Sequence, residues 1–154
     1  KSLLTNSNPY TPAVNLVFAL DESLKMMREE GLDNIFLRHD KHKLAMSNAV
    51  KALNLKLFAD ERYLSPAVTA IQTGEIDAEE FRKTIKNKFD ILLAGGQDHL
   101  KGKIFRVGHL GYVNDRDIIT VVSAISNTLL DLGKITSQQA GEALVVVSRY
   151  LEGS

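Results

Sequence analysis

The sequence predicts an α+β domain in which a small, mainly antiparallel sheet is covered on one face by helices. Two observations carry this. Segments read in the order helix, helix, strands, helix, strands, helix, helix, without the regular alternation of a doubly wound parallel sheet. The strand segments are short and apolar and lie between turn signals, which suits a sheet with one packed face. Its other face, or a loop edge, is left for a partner domain.

Each element has a local cause. Residues 1–10, with Asn6, Ser7, Asn8 and Pro9 close together, form a polar lead-in with no apolar face to bury. A helix is expected to begin near Thr11-Pro12, since threonine suits an N-cap and proline a first turn. Val17, Leu20, Leu24 and Met27 then recur at helical spacing until Gly31. A second helix is expected over 33–53, with Ile35, Met46, Val50 and Leu53 on one side and His39 and His42 on that same side. Strands follow at 55–58 and 66–73, linked through exposed Asp60-Glu61-Arg62. Asp77 with Glu80 three residues on predicts a capping box, opening a helix that buries Phe81, Ile85 and Phe89. A strand at 91–94 is cut off by Gly95-Gly96, and its partner at 104–107 comes after a polar loop holding Gln97, Asp98 and His99. Asn114 caps a periodic helix through Ile118, Val122, Ile125 and Leu129, closed by Gly133. Thr136 with Gln139 opens a last helix to 151 that buries Leu144, Val147 and Leu151. The expected organisation is a lead-in, 1–10, and one domain, 11–154.

Composition removes several classes of function. Of 154 residues, 19 are basic and 19 acidic, and no block of like charge breaks the mixture, so the stripe that neutralises phosphate backbones is missing. Nucleic acid is not an expected partner. No apolar run approaches the roughly 20 residues that span a bilayer, and no charged-then-apolar signal pattern opens the chain. A cytoplasmic location without a membrane partner is expected. The absence of cysteine excludes disulfides, a thiolate nucleophile and thiolate-bound zinc or iron–sulfur clusters.

The chemistry concentrates in Gly102-Lys103-Ile104-Phe105-Arg106-Val107-Gly108-His109-Leu110-Gly111. Arg106 stands at the end of an apolar strand and is followed by glycines that let another group approach. A guanidinium with five fixed donors in such a place wants a planar anion. That anion is either an internal carboxylate, which residue type alone favours, or a ligand. His39 and His42, at i and i+3 beside Asp40, have a metal-like spacing. The next residue on their face is Met46 and no third ligand is evident, so they read as packing histidines. Gly95-Gly96 lacks the helix start and Gly-Lys-Ser/Thr sequence of a phosphate loop and reads as a tight strand exit. His109 has no nucleophile or carboxylate tied to it by motif and is taken as a neighbour of the site. The Thr11-Pro12 cap offers a hydroxyl and helix N–H groups to an anion.

Taken together, Tyr10-Thr11-Pro12-Ala13-Val14, residues 24–31, Ala94-Gly95-Gly96 and above all Arg106-Val107-Gly108-His109-Leu110-Gly111 resemble the C-terminal part of class V aminotransferases. These are pyridoxal-phosphate enzymes of fold type I that include alanine–glyoxylate and serine–glyoxylate aminotransferases. The resemblance runs over about residues 11–130. The chain is similar, too, to cyanobacterial members labelled as a soluble hydrogenase small subunit, though without cysteine it supplies no thiolate to nickel–iron or iron–sulfur centres.

The resemblance implies roles. Arg106 would bind the α-carboxylate of the substrate, and Thr11 would reach the cofactor phosphate of the neighbouring subunit in a homodimer. Some relatives have a tyrosine three residues before that threonine, where this chain has Asn8. The cofactor would be pyridoxal 5'-phosphate, and the substrates a small amino acid such as alanine or serine and a 2-oxo acid such as glyoxylate. The Schiff-base lysine, the aspartate on the pyridine nitrogen and the stacking aromatic belong in the family to a large upstream domain. The chain therefore reads as a small C-terminal domain, inactive alone and binding no cofactor covalently, and Lys1 is not the Schiff-base lysine. A non-catalytic accessory domain that keeps the fold is the alternative.

Overall fold

In the computed structural model, which describes residues 10–152, strands β1 (Lys56–Leu57), β2 (Val68–Gln72), β3 (Ala94–Gly95) and β4 (Ile104–Gly108) form a four-stranded antiparallel sheet. Its order is β1-β2-β4-β3. Helices α1 (Val14–Glu30), α2 (Leu32–Ala52), α3 (Ala78–Phe89), α4 (Asp115–Asp131) and α5 (Ser137–Glu152) complete the expected α+β class. The chain divides into two compact units, residues 1–37 and 38–154.

The larger unit holds the sheet and its core. Along β2 and β4 alternate residues turn to opposite faces, so Thr69, Ile71, Phe105 and Val107 point one way and are buried, while Ala70 and Arg106 point the other and are half-buried. The buried set packs with Phe81 and Ile85 of α3, with Ile118, Val122, Ile125 and Leu129 of α4, and with Met46 and Val50 of α2. Phe81 and Phe105 meet in a tilted pair with ring centroids 5.2 Å apart. Phe89 and Leu144 sit only partly buried at the margin of this core, whereas Val147 and Leu151 of α5 are inside it.

Several ends follow the expected chemistry. The Asn114 side chain accepts from the N–H groups of Arg116 and Asp117, and Asp117 returns the bond to the Asn114 N–H, a complete capping box. Thr136 and Gln139 close the same reciprocal pair at α5. At α3 only half of the box forms. Asp77 accepts from the N–H groups of Glu79 and Glu80, while the Glu80 carboxylate lies 3.6 Å from Lys83 Nζ.

Beyond the trimmed ends of β1 and β2, two expected boundaries move. The first helix is not capped by Thr11: its N-cap is Ala13, with no side-chain bond, and the helix starts at Val14. Ala13, at φ −78° and ψ 63°, is the centre of an inverse γ-turn in which Val14 N–H donates to the Pro12 carbonyl. Pro12 therefore precedes the helix instead of opening it. The third strand falls at Ala94–Gly95, later than the expected 91–94, because Ala94 and Gly95 are the residues opposite Arg106 and Phe105. The glycine that was expected to stop the strand belongs to it.

In the smaller unit, α1 has no buried residue: Leu16, Val17, Phe18, Leu20 and Leu24 are all exposed. The chain leaves α1 through Gly31, whose φ of +83° is a conformation that favours glycine. Of the lead-in expected over 1–10, residues 1–9 lie outside the described residues. Among the described residues no helix is long and apolar enough to cross a membrane.

Candidate carboxylate-binding site at the sheet edge

Arg106 owes its setting to strand parity. His109 N–H donates to the Ala67 carbonyl on the β2 side, and Gly96 N–H donates to the Ile104 carbonyl on the β3 side. Hydrogen-bonding groups of 105 and 107 therefore face β2, and those of 104 and 106 face β3. Gly95, opposite Phe105, falls between bonded pairs, and its carbonyl points off the outer edge of the sheet. The Arg106 side chain runs past Ala94, directly opposite it, and its Nε donates to that Gly95 carbonyl at 3.0 Å. Ala70, its other cross-strand neighbour, is equally small. With Nε anchored, Nη1 and Nη2 have no hydrogen-bond or ion-pair partner among the described residues. The internal carboxylate that residue type alone favours is not found among those residues.

Behind the arginine, the turn after β4 is pinned from two directions. His109 is fully buried, with Nδ1 2.9 Å from the Pro66 carbonyl and Nε2 2.9 Å from Thr69 Oγ1. A carbonyl only accepts, so Nδ1 carries the proton and the threonine hydroxyl donates to Nε2 in the neutral ring. Burial pushes the pKa of His109 down to about 4, against the bond to Pro66 and with the help of nearby His42 and His39. From α2, Arg38 Nη1 donates to the carbonyls of Gly111 and Val113, at 2.9 Å each.

Further along the same helix, His42 Nε2 bonds Asp115 Oδ1 at 2.8 Å, and Lys41 Nζ bonds Asp115 Oδ2 at 2.8 Å and the Leu151 carbonyl at 2.9 Å. Burial lowers the pKa of His42 despite Asp115. Burial works to raise the pKa of Asp115, and the hydrogen bonds and charges of Lys41 and His42 outweigh it and hold the carboxyl below its usual range. His42 thus serves the framework around the turn, and no group of three or more His, Asp or Glu among the described residues is arranged to hold a metal.

Thr11 lies in the other unit, 1–37. It is exposed, and its hydroxyl makes no hydrogen bond among the described residues. Of the Gly95-Gly96 pair, Gly96 forms the tight exit, while Gly95 belongs to β3. A Cβ on Gly96 would lie 2.1 Å from the Leu100 carbonyl oxygen, which only a glycine permits. Sequence reasoning missed the Gly95 carbonyl, Thr69, Pro66 and Asp115. The first contributes through its backbone, and the others stand 40 or more residues from the histidines that they hold.

No family model matches the chain. Among curated proteins it is 52% identical over 133 residues to the "Soluble hydrogenase 42 kDa subunit" of Anabaena cylindrica, which covers 86% of this chain and 35% of that one. It is 34% identical over 146 residues to the serine–glyoxylate aminotransferase of Arabidopsis thaliana, covering 94% of this chain and 36% of the relative. Among solved structures, the ureidoglycine–glyoxylate aminotransferase of Bacillus subtilis superposes with a TM-score of 0.82 at 32% identity, over 90% of this chain and 37% of that one. The chain spans about a third of the length of the curated relatives it matches. Shared sequence and a shared fold agree, and the chain matches the C-terminal small domain of the class V aminotransferases.

Proposed function

We propose that this chain supplies the substrate-carboxylate wall of a pyridoxal-phosphate-dependent aminotransferase that moves an amino group from a small amino acid, alanine or serine, to a 2-oxo acid such as glyoxylate. The observation that carries the reading is Arg106: anchored through Nε alone, flanked by Ala70 and Ala94, it has both Nη groups uncommitted among the described residues. Two parallel N–H donors on a rigid plane match a carboxylate in a way that a lysine ammonium does not. Both the amino donor and the oxo acceptor carry that group, so one arginine serves both halves of the exchange.

The residues present fit an edge of the cofactor's surroundings. Thr11, exposed ahead of α1 and not used as its cap, has a hydroxyl open to a phosphate, in our reading that of a neighbouring subunit in a homodimer. When bound, pyridoxal phosphate supplies the electron sink of the reaction. Everything assigned to this chain is binding and orientation. Arg106 fixes the carboxylate end, and the buried His109 holds the turn behind it without exchanging a proton near neutral pH, because its pKa lies near 4. In this reading no lysine of the chain forms the covalent link to the cofactor.

The test is kinetic, in the enzyme formed when this chain is joined to its large domain. Removing a charge-assisted pair typically costs about 2 to 5 kcal/mol, so Arg106→Ala should lower kcat/KM by roughly 30-fold to several thousand-fold, with Arg106→Lys intermediate. Stability should fall by no more than the one hydrogen bond to the Gly95 carbonyl is worth, about 1 kcal/mol. A variant that unfolds the domain while its folded fraction keeps full specific activity would return Arg106 to a structural role.

A further inference from the structure

One edge of the sheet is β3, and the outward carbonyls of Gly95 in it and of Leu93 just before it are held from opposite faces by arginines. Leu93 and Gly95 share the parity that directs their carbonyls away from β4. From the helix-covered face, Arg82 of α3 donates through Nε to the Leu93 carbonyl at 2.8 Å, while its Nη1 bonds both oxygens of Glu79 at 2.9 Å each. From the open face, Arg106 donates through Nε to the Gly95 carbonyl at 3.0 Å. The two guanidinium groups are separated by little more than the Gly95 backbone. A Cβ at that residue would stand 2.5 Å from Arg82 Nη1 and 2.7 Å from Glu79 Oε1.

We propose that Arg82, braced by Glu79, and Gly95 are positioning residues for Arg106: together they fix the edge carbonyl that anchors its Nε and so aim its Nη pair outward. This rests on the reading of Arg106 as a carboxylate-binding residue. An arginine has rotatable bonds all along its stem, and a guanidinium free to swing would meet a carboxylate in the bidentate geometry only part of the time. Anchoring Nε removes that freedom before the ligand arrives. The anchor is only as firm as β3, a two-residue edge strand that pairs on one side alone. Among the described residues Arg82 supplies the hydrogen bond that a further strand on this side would have supplied. It explains, too, why residue 95 is glycine although its backbone is not in the left-handed region: the space of a side chain is filled by the Arg82–Glu79 pair.

Side-chain NMR of the 154-residue chain, labelled with 15N-arginine, tests this without reference to activity. The Arg106 Nε–H signal is assigned by its loss in Arg106→Lys, and its exchange with water is measured alongside the backbone amides of Ile71 and Phe105. In Arg82→Met the Arg106 Nε–H should exchange about tenfold faster, the factor that one ordinary hydrogen bond contributes, while the two backbone amides stay protected. Glu79→Gln, a milder change that keeps the helix intact, should move it in the same direction. Gly95→Ala should match Arg82→Met, and Gly95→Ala with Arg82→Met together should be no worse than either alone, because the clashing group is gone. Unchanged Arg106 exchange in Arg82→Met and Glu79→Gln, with both amides protected, overturns the proposal. A pyruvate titration of the unmodified chain separates the two ideas. Faster exchange in the variants with no pyruvate response at Arg106 removes the carboxylate reading and keeps the positioning, and the reverse pattern removes the positioning alone.

Discussion

Acidification should destabilise this domain well before its carboxylates protonate, and His109 should be the main reason. In the unfolded chain the ring has an ordinary pKa of 6.5, whereas in the folded domain burial holds it at about 4. As pH falls from 7 the unfolded state takes up the proton first, so stability declines between about pH 6.5 and 4 and is flat, for this group, outside that window. Each pH unit of separation is worth about 1.4 kcal/mol, which makes the loss about 3 kcal/mol across the window. His42, whose pKa is lowered mainly by burial, adds to the slope with the same sign. Asp115, held below its usual 3.8, contributes stability that is lost only at lower pH still. Urea denaturation of the chain followed by circular dichroism at steps from pH 7.5 to 4 gives the slope. His109→Leu should cost about 1 to 3 kcal/mol at pH 7, since the Thr69 hydroxyl and Pro66 carbonyl lose their partner, and should remove most of the acid sensitivity. Parallel pH profiles for the variant and the unmodified chain would refute the reasoning.

Two further outcomes follow from packing. Gly96→Ala would set a Cβ 2.1 Å from the Leu100 carbonyl oxygen, a backbone atom that cannot swing aside, so thermal denaturation should show a loss of about 2 kcal/mol or more. Helix α1 shows no buried side chain and presents Leu16, Val17, Phe18, Leu20 and Leu24 to solvent, an apolar surface of the kind that mediates association. Sedimentation of the chain should therefore show concentration-dependent self-association that Leu20→Glu with Leu24→Glu abolishes, and a monomer at every concentration would contradict this.

How much of this was legible in the sequence depended on whether the cause was local. The capping pairs at Asn114 and Thr136 and the helical periodicity of Ile118 to Leu129 lie within one or a few turns, and the structure follows them. The α+β class and the antiparallel sheet followed from short strand signals in an irregular order. Misplaced boundaries came from chemistry that looks alike in sequence. Thr11-Pro12 has the composition of a helix start, but a γ-turn at Ala13 takes its place. Gly95 has the look of a strand terminator, yet it is a strand residue whose side chain would occupy the place of Arg82. Arg106 was visible as a candidate from its type and position. Its anchor was not, because a backbone carbonyl leaves no trace in residue identity and becomes available only once β3 is the edge of the sheet. The two-sided hold on His109 joins residues 40 and 43 positions apart, a distance over which spacing carries no signal.

The proposed contact of Arg106 with a substrate carboxylate is tested most directly by removing each side of it in turn. In the aminotransferase that the proposed function assigns, with this chain joined to a large domain, kcat/KM is measured for alanine and for ethylamine, which lacks the carboxylate, with Arg106 intact and in Arg106→Ala. If the contact is as described, Arg106→Ala lowers the alanine value by roughly 30-fold to several thousand-fold and leaves the already poor ethylamine value nearly unchanged, a coupling of about 2 to 5 kcal/mol. Equal losses for both amines would mean that the arginine does not read the carboxylate and would contradict the proposed function.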